Sequence, residues 1–507
     1  MSADPLDKRY SGKVLYFRIL GYVKYYWPAL VLGIFGNAMY SGVDAGMTYL
    51  LKPILNKGFI ARDYVFIQWL PIIVITIFVL RAIANFLGSY YMSYVARSIV
   101  MRFRIQIFDH LLKIPATYYD NSSSGQILSV IIYNVEQVAK VSASALTDLV
   151  QSLFLIIGLL VVMFSISWQL SLLYFVTIPV IAIIVKLSSR YVRKISHGIQ
   201  RGMGEVTSIA EEAIEGYKVV RAFGGEKYES DKFSKAIRDN RRRELKNVIL
   251  KTISVSGVQL VAACALSVIV YLATSKTSLS LTAGGFVTLV ASMLAILKPL
   301  KTFTTVNATI QRGLAGAQSV FALLDDDLEK DTGVTTLDTV KGKIEYRDVL
   351  FTYPKTEKQV LKDICFTVEP GKTMALVGRS GSGKSTIVNL LSRFYDYEQG
   401  DILIDGLSVK SLTLSNLRSH IAYVSQNITL FNDTIASNIT YGQPDCSKER
   451  MYAAARAANA HLFITEQPEG YETVIGEKGG RLSGGQRQRI SISRALVKDA
   501  PILILDE

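Results

Sequence analysis

The chain has 507 residues, half of them hydrophobic, with a mean hydropathy of +0.28 and a formal net charge of +14. This length exceeds one ordinary core and the apolar composition is typical of membrane spans, which argues against a small or purely soluble protein. The cysteines Cys264, Cys365 and Cys446 are far apart, so neither a disulfide framework nor a cysteine metal site is indicated. No apolar core precedes Trp27, so we expect no cleaved signal peptide.

Six apolar stretches before the polar C-terminal part predict six transmembrane helices. Each is near the roughly 20 residues that a helix needs to cross a bilayer, and only helices satisfy their own backbone in lipid. A short helix before the first stretch carries aromatic and basic residues and is predicted to lie at the membrane interface. The stretches are Trp27–Leu51, Phe66–Val95, Leu146–Ser165, Leu170–Ser188, Val248–Ser275 and Leu281–Leu300, of which the third and fourth form a tight hairpin.

Loop charge predicts the orientation of these helices. About sixteen Lys and Arg lie between Lys186 and Lys251 and about five between Arg97 and Lys140, against about three in the opposite connections. The basic side, and with it both termini, is therefore predicted to be cytoplasmic, which explains much of the charge without nucleic acid. Both long cytoplasmic loops have helical periodicity, so the turns near Asn121–Gly125 and Gly224–Gly225 would lie far from the membrane, where a soluble domain could meet them.

A change of composition marks the next boundary. The segment "DDDLEKDTGVTTLDT" is acidic and polar and has no apolar period, which is typical of a linker. Beyond it, "GKIEYRDVLFTYP" and "QVLKDICFTVEPGKTMALVG" predict short strands. We therefore predict an interfacial helix in residues 1–26, a transmembrane domain in 27–324, a linker in 325–340 and a soluble domain in 341–507.

The stretch "ALVGRSGSGKST" predicts a phosphate-binding loop between an aliphatic strand and a helix, because it fits the pattern G-x-x-x-x-G-K-[ST]. The glycines allow backbone N–H groups to surround phosphates at a helix N-terminus. Lys384 would reach the β- and γ-phosphates, and Ser385 would ligate Mg²⁺. The predicted ATP-binding residues here are Gly378, Arg379, Ser380, Gly381, Ser382, Gly383, Lys384, Ser385 and Thr386.

The closing stretch "PILILDE" predicts a buried parallel strand beside the phosphate loop. Asp506 at its end would hold Mg²⁺ through water, and Glu507 would be the base that orients the attacking water. An Asp-Glu pair after a strand is often a helix cap instead. The aliphatic run and the upstream phosphate loop favour the catalytic interpretation.

The glycine turn "LSGGQ" predicts a second element that contacts phosphates. Gly484 and Gly485 free the backbone, Ser483 offers a hydroxyl, and a helix beginning near Gln486 directs its positive end outward. A plain helix N-cap accounts for these local features equally well.

The longer stretch "LSGGQRQR" resembles the signature motif of ATP-binding cassette (ABC) proteins, and further motifs follow in the order of that family. Tyr353 in "FTYP" resembles the aromatic residue that stacks on adenine. Gln426 in "YVSQ" resembles the glutamine that senses Mg²⁺ and the transmembrane domain. Six helices followed by a cassette resemble ABC exporters over essentially the whole chain. Stretches such as "YLLKPILNKGF", "SGQILSVIIYNVEQVA" and "FGGEKYE" resemble the exporters that flip lipid A and lipopolysaccharide precursors.

The resemblance implies a fold, a site and an assembly. The fold is an all-α, six-helix transmembrane domain followed by an α/β P-loop NTPase domain. Catalysis would involve Lys384, Gln426 and Glu507, with Mg²⁺ held by Ser385, Gln426 and Asp506. In this family the signature of one cassette caps the nucleotide on another, so Ser483, Gly484, Gly485 and Gln486 would act across a homodimer. The expected function is ATP-driven flipping of a lipid A-core precursor across the bacterial inner membrane, with the ATP-binding domain cytoplasmic.

Cassettes of this family continue past the catalytic acid and include a histidine that contacts the γ-phosphate. None of the four histidines, His110, His197, His420 and His461, follows Glu507. We therefore expect the sequence to be a piece of a longer protein. A chain ending at Glu507 is expected to show little or no ATP turnover.

Charged residues within the predicted spans indicate the cargo. Arg81 interrupts the second span, Asp44 lies in the first, and Lys298 and Lys301 lie at the inner end of the sixth. Because intramembrane charges are costly, the three cations are candidates for a basic cavity that holds an amphiphile with phosphates. Alternatively, Arg81 pairs with Asp44 and the lysines extend to the headgroups. Gln151, a neutral residue in the third span, weakens the argument for phosphate.

Other functions remain open on the sequence alone. A multidrug or peptide exporter would differ in the compounds that stimulate its ATPase. A non-transporting ABC ATPase acting on ribosomes or DNA would not need six spans. An ATP-gated channel on the same scaffold would show conductance without coupled turnover.

Overall fold

The computed structural model describes residues 12–122, 124–175, 177–274, 281–354, 356 and 358–506. The chain divides into two compact units. The first comprises Met1–Phe108 and Leu128–Leu324, and the second comprises Asp109–Ile127 and Asp325–Glu507. The first unit is helical and the second combines helices with two small sheets, so the predicted fold class is confirmed. The second unit also includes the end of the first predicted cytoplasmic loop.

Long helices form most of the first unit. Short π-helical segments interrupt the helical path at Ile54–Ile60, Val130–Asn134 and Val141–Ala145. The helices before residue 325 are α1 Gly12–Lys24, α2 Trp27–Pro53, α3 Tyr64–Leu111, α4 Ala116–Asn121, α5 Ser124–Ser129, α6 Val135–Lys140, α7 Leu146–Ile166, α8 Trp168–Phe175, α9 Thr177–Glu215, α10 Tyr217–Ala222, α11 Glu226–Thr274 and α12 Ala283–Leu324. The second unit takes in the end of α3, all of α4 and most of α5.

Apolar helices long enough to cross a membrane are present in this unit. Among the described residues four pass by length and composition, namely Tyr64–Leu111, Leu146–Ile166, Glu226–Val268 and Ala283–Leu300. A fifth is obtained if Val14–Lys24 and Trp27–Ile60, which meet at 98°, are counted as one span. The predicted span Leu170–Ser188 falls on α8 and α9, which flank position 176 outside the described residues. Six spans therefore remain a prediction.

The core of the first unit joins the third predicted span to the last. Leu159 and Met163 of α7 are fully buried and pack with Leu289, Met293 and Ile296 of α12. The helix is interrupted where the hairpin was predicted, because Ser167 takes an extended conformation (φ −156°, ψ 112°) between α7 and α8. The hairpin of two spans stays a prediction. Burial of this apolar seam holds α7 against α12.

The long helices predicted on either side of Gly224 are also confirmed, while their cytoplasmic position stays a prediction. Helix α9 packs along α11, and the short α10 lies between them. The turn occurs at the predicted glycines, where Gly224 has a φ of +63° and Gly225 donates its N–H to the carbonyl of Val220 across 2.8 Å. Glycine suits this left-handed position because it has no β-carbon.

The second unit contains two sheets. One is antiparallel, with strand order β2-β1-β3-β4, and the other pairs β5 with β6 in parallel. Its two longest helices have 10 and 15 residues. Elements after residue 340 are β1 Ile344–Thr352, β2 Gln359–Val368, α13 Lys384–Leu391, β3 Gln399–Ile404, β4 Leu407–Ser408, α14 Leu414–Ser419, β5 Ile421–Val424, α15 Ile435–Ile439, α16 Lys448–Ala457, α17 His461–Thr465, α18 Gly484–Lys498 and β6 Ile502–Leu505.

Two strand predictions need correction. The aliphatic run before the phosphate loop forms no strand, because it lacks a hydrogen-bonded neighbour, and Met374 and Val377 are 45% and 93% exposed. The strand β6 was expected to be buried, but it is buried on one face only. Ile502 and Ile504 point into the core, whereas Leu503 and Leu505 are 46% and 61% exposed. Alternation is the rule for a strand that packs on one side.

The acidic linker follows the surface of the second unit closely. Asp331 accepts hydrogen bonds from the backbone N–H of Leu414, and Thr335 pairs with Leu412. Glu329 binds Arg418 through two charge-assisted hydrogen bonds of 2.5 and 2.8 Å. The linker therefore has specific partners, which its polar composition alone did not indicate.

Candidate functional site

The phosphate loop closes on itself before α13. Gly381 and Gly383 have φ angles of +78° and +93°, which a residue with a β-carbon rarely adopts. A β-carbon on Gly383 would also lie 2.8 Å from the side chain of Leu361. Lys384 begins the helix, and its ammonium donates to the carbonyls of Gly378 (3.0 Å) and Arg379 (3.3 Å). The loop thus has the curvature and the helix N-terminus that phosphates require.

Ser385 and Asp506 meet beside this loop. The Ser385 hydroxyl donates to Oδ1 of Asp506 across 3.1 Å. Asp506 directly follows β6 and is fixed by its backbone N–H, which donates to the carbonyl of Val424 at 2.9 Å. A hydroxyl and a carboxylate are the hard oxygen ligands that Mg²⁺ takes at phosphate sites. The donor set therefore fits a nucleotide-bound magnesium ion.

Tyr423 is a further residue near the carboxylate that sequence reasoning missed. Its hydroxyl donates to Oδ2 of Asp506 across 3.4 Å. Burial, followed by the negative charge of Asp506, raises the pKa of Tyr423. The strands β5 and β6 are paired from Ile421–Ile502 to Val424–Leu505, so their carboxyl ends are level. Gln426 follows β5 by two residues and therefore comes at the same edge as Asp506.

The signature turn is a helix N-cap in this chain. Ser483 Oγ accepts from the N–H of Gln486, and the Gln486 side chain accepts from the N–H of Ser483, which completes a capping box. Leu482 and Ile490 are buried with α15 and α16, whereas the phosphate-loop helix packs on the core that contains β1 and β6. The two motifs that are predicted to contact phosphates thus rest on different apolar clusters.

Tyr353 lies next to the phosphate loop. Its hydroxyl shares a hydrogen bond of 2.9 Å with Oγ1 of Thr386. Its ring meets Tyr395 edge-on, with centroids 5.1 Å apart at 83°. The motif "FTYP" placed Tyr353 near the nucleotide, but nothing in the sequence indicated Tyr395.

Arg81 and Asp44 form an ion pair in the first unit. Arg81 Nε lies 2.6 Å from Oδ1 of Asp44, and its Nη2 donates to the Tyr40 hydroxyl at 2.8 Å. The alternative that Arg81 pairs with Asp44 is therefore what the structure shows. The Arg81 side chain keeps 36% of its surface exposed. Lys298 is exposed, and the side chain of Lys301 lies outside the described part of the chain.

Gln151 takes part in contacts between helices. Its side-chain amide N–H donates to Oδ1 of Asn37 (2.8 Å), and its backbone carbonyl accepts from the Ser41 hydroxyl (2.9 Å). Asn37 is fully buried. Of the predicted catalytic residues, the structure describes Lys384 and Gln426, whereas Glu507, the predicted base, lies outside the described residues.

Comparisons with known proteins agree with this arrangement. The model of the ABC transporter transmembrane region matches residues 30–300, and the model described as ABC transporter matches residues 361–507. Similar proteins include the ATP-dependent lipid A-core flippases of Legionella pneumophila (strain Paris), 52% identical, and of Coxiella burnetii, 51% identical, each over 98% of this chain and 84% of the relative.

The flippase of Thiobacillus denitrificans is 42% identical over 98% of this chain and 86% of its own length. The similarity therefore extends through both units. Together with the phosphate loop, the paired Ser385 and Asp506 and the capped signature helix, it shows that this chain belongs to the ABC transporter family.

Proposed function

We propose that this protein is an ATP-driven flippase that moves a lipid A-core precursor from the inner to the outer leaflet of the bacterial inner membrane. The observation that carries this proposal is sequence identity. Over 98% of the chain, about half of the residues are identical to those of relatives named lipid A-core flippases. The apolar helices of the first unit and the nucleotide site of the second are the parts that such a transporter needs.

At the nucleotide, each residue would have a separate task. Tyr353 would stack on the base, residues 378–386 would surround the phosphates, and Lys384 would move from the loop carbonyls to the β- and γ-phosphates. Ser385, Asp506 and Gln426 would hold Mg²⁺, which neutralises phosphate charge when bound. Glu507 would orient the attacking water.

We further propose that the working form is a homodimer. The signature residues 483–486 use Ser483 Oγ and the Gln486 side chain for the capping box, which leaves the backbone N–H groups of Gly484 and Gly485 directed out of the helix N-terminus. These groups would cap a nucleotide held by the phosphate loop of a second copy. The signature turn and the phosphate loop pack on separate apolar clusters, which agrees with the proposal that they act on nucleotides held by different copies.

The cargo would be recognised by cations beneath apolar walls. Arg81 keeps a partly exposed guanidinium while paired with Asp44, and Lys298 is exposed. Together with Lys301, they would bind the phosphates of an amphiphile, and the acyl chains would contact the apolar helices. A multidrug or peptide exporter is the main competing function, because it needs the same two units.

Native mass spectrometry of the protein purified from its own membrane tests this function. A dimer that retains a phosphorylated multi-acyl lipid, and an ATPase that such a lipid stimulates after reconstitution, would support the flippase. A dimer stimulated by hydrophobic drugs or peptides but not by this lipid would favour the competing exporter. A monomer with full ATPase activity would contradict the shared nucleotide site.

A further inference from the structure

Arg393 ends the phosphate-loop helix α13 in a conformation that arginine rarely takes. Its φ is +49°, in the left-handed region, and its N–H donates to the carbonyl of Leu390 across 3.1 Å. The next N–H, that of Phe394, donates to the carbonyl of Asn389 across 3.0 Å. These two hydrogen bonds form a common C-terminal motif of helices, in which glycine usually takes the left-handed position. A residue with a β-carbon costs about 1–2 kcal/mol there, so the side chain of Arg393 has to offset this strain.

The Arg393 side chain is buried and reaches the linker. Only 2% of it is exposed, and its Nη2 donates to Oγ1 of Thr332 across 3.2 Å. Its Nε lies 3.3 Å from Oδ1 of Asp396, so the buried charge has a counter-ion. Its Nη1 donates to the backbone carbonyls of Val409 (3.3 Å), Lys410 (3.4 Å) and Leu412 (3.2 Å). Strain that so many contacts hold in place is typical of residues with a functional role.

Arg418 makes a second connection between the same helix end and the linker. Its Nε donates to the carbonyl of Ser392 across 3.2 Å, and its Nη2 donates to the carbonyl of Arg393 across 3.0 Å. The carboxylate of Glu329 binds the same guanidinium. Two arginines thus join the end of α13 to two residues of the linker. We call Arg393, Arg418, Thr332 and Glu329 the arginine clamp.

The opposite end of α13 carries the phosphate loop. The helix has only eight residues, Lys384–Leu391, and is therefore about 12 Å long. A helix of two turns is not stable by itself, so the contacts at its ends decide where it lies. Its N-terminal N–H groups and Lys384 are the groups that would hold the phosphates. A change in the position of Ser392 would therefore also change the position of these groups.

We propose that Arg393 and Arg418 are positioning residues through which the linker sets the affinity of the phosphate loop for nucleotide phosphates. The inference rests on the proposed role of residues 378–386 in binding the phosphates. The linker directly continues α12, which ends at Leu324. The arginine clamp thus connects the phosphate loop to the segment that follows the last helix of the first unit.

Arg393→Gly is the most direct test. Binding of ATP and of inorganic tripolyphosphate is measured by calorimetry, with Mg²⁺ present for both ligands. Glycine suits the left-handed position, so it would replace without loss a residue that only ended the helix. The arginine clamp predicts instead that Arg393→Gly binds both ligands about three- to tenfold more weakly. The factor should be the same for both, because the clamp acts on the phosphates and not on the base.

Thr332→Val tests the clamp from the linker and leaves α13 unchanged. It removes the hydroxyl that accepts from Arg393 and keeps the size of the side chain. Both ligands should bind about two- to fivefold more weakly. General destabilisation does not produce this result, because a protein that is stable by several kcal/mol stays almost entirely folded after a small loss. Thermal unfolding in mild detergent checks that each variant is folded at the temperature of the calorimetry.

Asn459→Gly is the matched control. Asn459 follows α16 with a φ of +53°, and its N–H donates to the carbonyl of Arg456 across 3.0 Å. The N–H of Ala460 donates to the carbonyl of Ala455 across 2.7 Å, so the motif is the same as after α13. This variant should bind both ligands as the wild type does. Wild-type affinity in Arg393→Gly or Thr332→Val, a loss confined to ATP, or an equal loss in Asn459→Gly would each overturn the inference.

Lys384→Ala separates this inference from the proposal on which it rests. If Lys384→Ala leaves the binding of tripolyphosphate unchanged, the loop does not hold phosphates, and the proposed nucleotide site fails together with the role of the clamp. If Lys384→Ala abolishes this binding and Arg393→Gly binds as the wild type does, the phosphate site stands and the role of the clamp is wrong.

Discussion

Gly36 of α2 and Gly88 of α3 touch so closely that a β-carbon on Gly36 would lie 2.4 Å from the backbone nitrogen of Gly88. On the other side, a β-carbon on Gly88 would lie 2.4 Å from Oδ1 of Asn37. Small residues allow such approach between membrane helices, where close packing and interhelical hydrogen bonds replace the hydrophobic effect. This contact lies on the same two helices as the pair of Arg81 and Asp44.

Gly36→Ala should therefore destabilise the protein. The added methyl group meets backbone atoms, which cannot rotate away, so we expect a loss of about 1–3 kcal/mol, as for other overpacked sites. Thermal unfolding in mild detergent measures this change. Gly42→Ala is the control on the same helix, because a β-carbon there has nothing within 4 Å, and it should be neutral or slightly stabilising. Equal stability of the two variants would contradict the packing described here.

A second prediction concerns the pairing of Ser385 and Asp506. Ser385→Ala removes one of the three proposed Mg²⁺ ligands, so ATP binding in the presence of Mg²⁺ should weaken by about ten- to a hundredfold. Binding measured in EDTA should change little, because the phosphate contacts of the loop remain. Ser447→Ala, which removes a helix cap far along the chain, is the control. Equal losses with and without Mg²⁺ would show that Ser385 supports the loop rather than the metal.

The third prediction is a pH dependence at Asp405. This carboxylate accepts hydrogen bonds from the backbone N–H groups of Lys341 (2.6 Å), Lys343 (2.9 Å) and Gly342 (3.3 Å). Burial alone would raise the pKa of Asp405, but these hydrogen bonds outweigh it and lower the pKa. A carboxyl whose folded pKa is lowered stabilises the fold above the unfolded value of about 3.9 and loses this contribution as the pH falls through the folded pKa.

Asp405→Asn should accordingly reduce local stability by about 1 kcal/mol at pH 7, a modest value because the site is partly solvated. Asparagine tolerates the positive φ of +50° at this position, so backbone strain adds little. Amide exchange in residues 341–343, corrected for intrinsic rates, measures the difference. The wild type and the variant should converge once the pH has fallen below the folded pKa of Asp405, which itself lies below the unfolded value. A difference that persists unchanged at that pH would show that charge is not its cause.

Sequence reasoning was most successful where a motif is local. The phosphate loop combines a glycine turn with a helix N-terminus, so Lys384 and Ser385 could be placed from their spacing alone. The helices on either side of Gly224 also follow from local periodicity. The run before the phosphate loop was wrongly predicted to be a strand, because a strand needs a partner elsewhere in the chain and apolar residues do not identify it.

Contacts between distant residues could not be predicted. Tyr395 and Asp120 are 275 positions apart, and neither stands out in its own segment. Gln151 was noted only for its neutral charge, yet its amide joins α7 to Asn37 on α2. Arg81 was assigned to the cargo with pairing to Asp44 as the alternative, and geometry rather than composition shows that the pair forms. Such pairings depend on the tertiary fold, and the residue pattern of a single sequence does not show which distant residues the fold brings together.

The last prediction separates a structural role of Arg81 from a role in binding cargo. The ion pair alone predicts that Arg81→Gln and Asp44→Asn have the same effect, since each leaves one intramembrane charge without its partner. Cargo binding predicts different effects. Arg81→Gln removes a cation that a lipid phosphate would contact, whereas Asp44→Asn removes a carboxylate that competes with the phosphate for the same guanidinium.

We therefore expect Arg81→Gln to raise the concentration of phosphorylated lipid required for half-maximal ATPase stimulation by about tenfold, the factor that corresponds to one charge-assisted hydrogen bond. Asp44→Asn should leave this concentration unchanged or lower it. Thermal unfolding of both variants shows whether the loss of the pair has also destabilised the fold. If both variants lose stimulation in proportion to their loss of stability, Arg81 serves the helix pair, and the cargo phosphates must be held elsewhere, with Lys298 as the next residue to change.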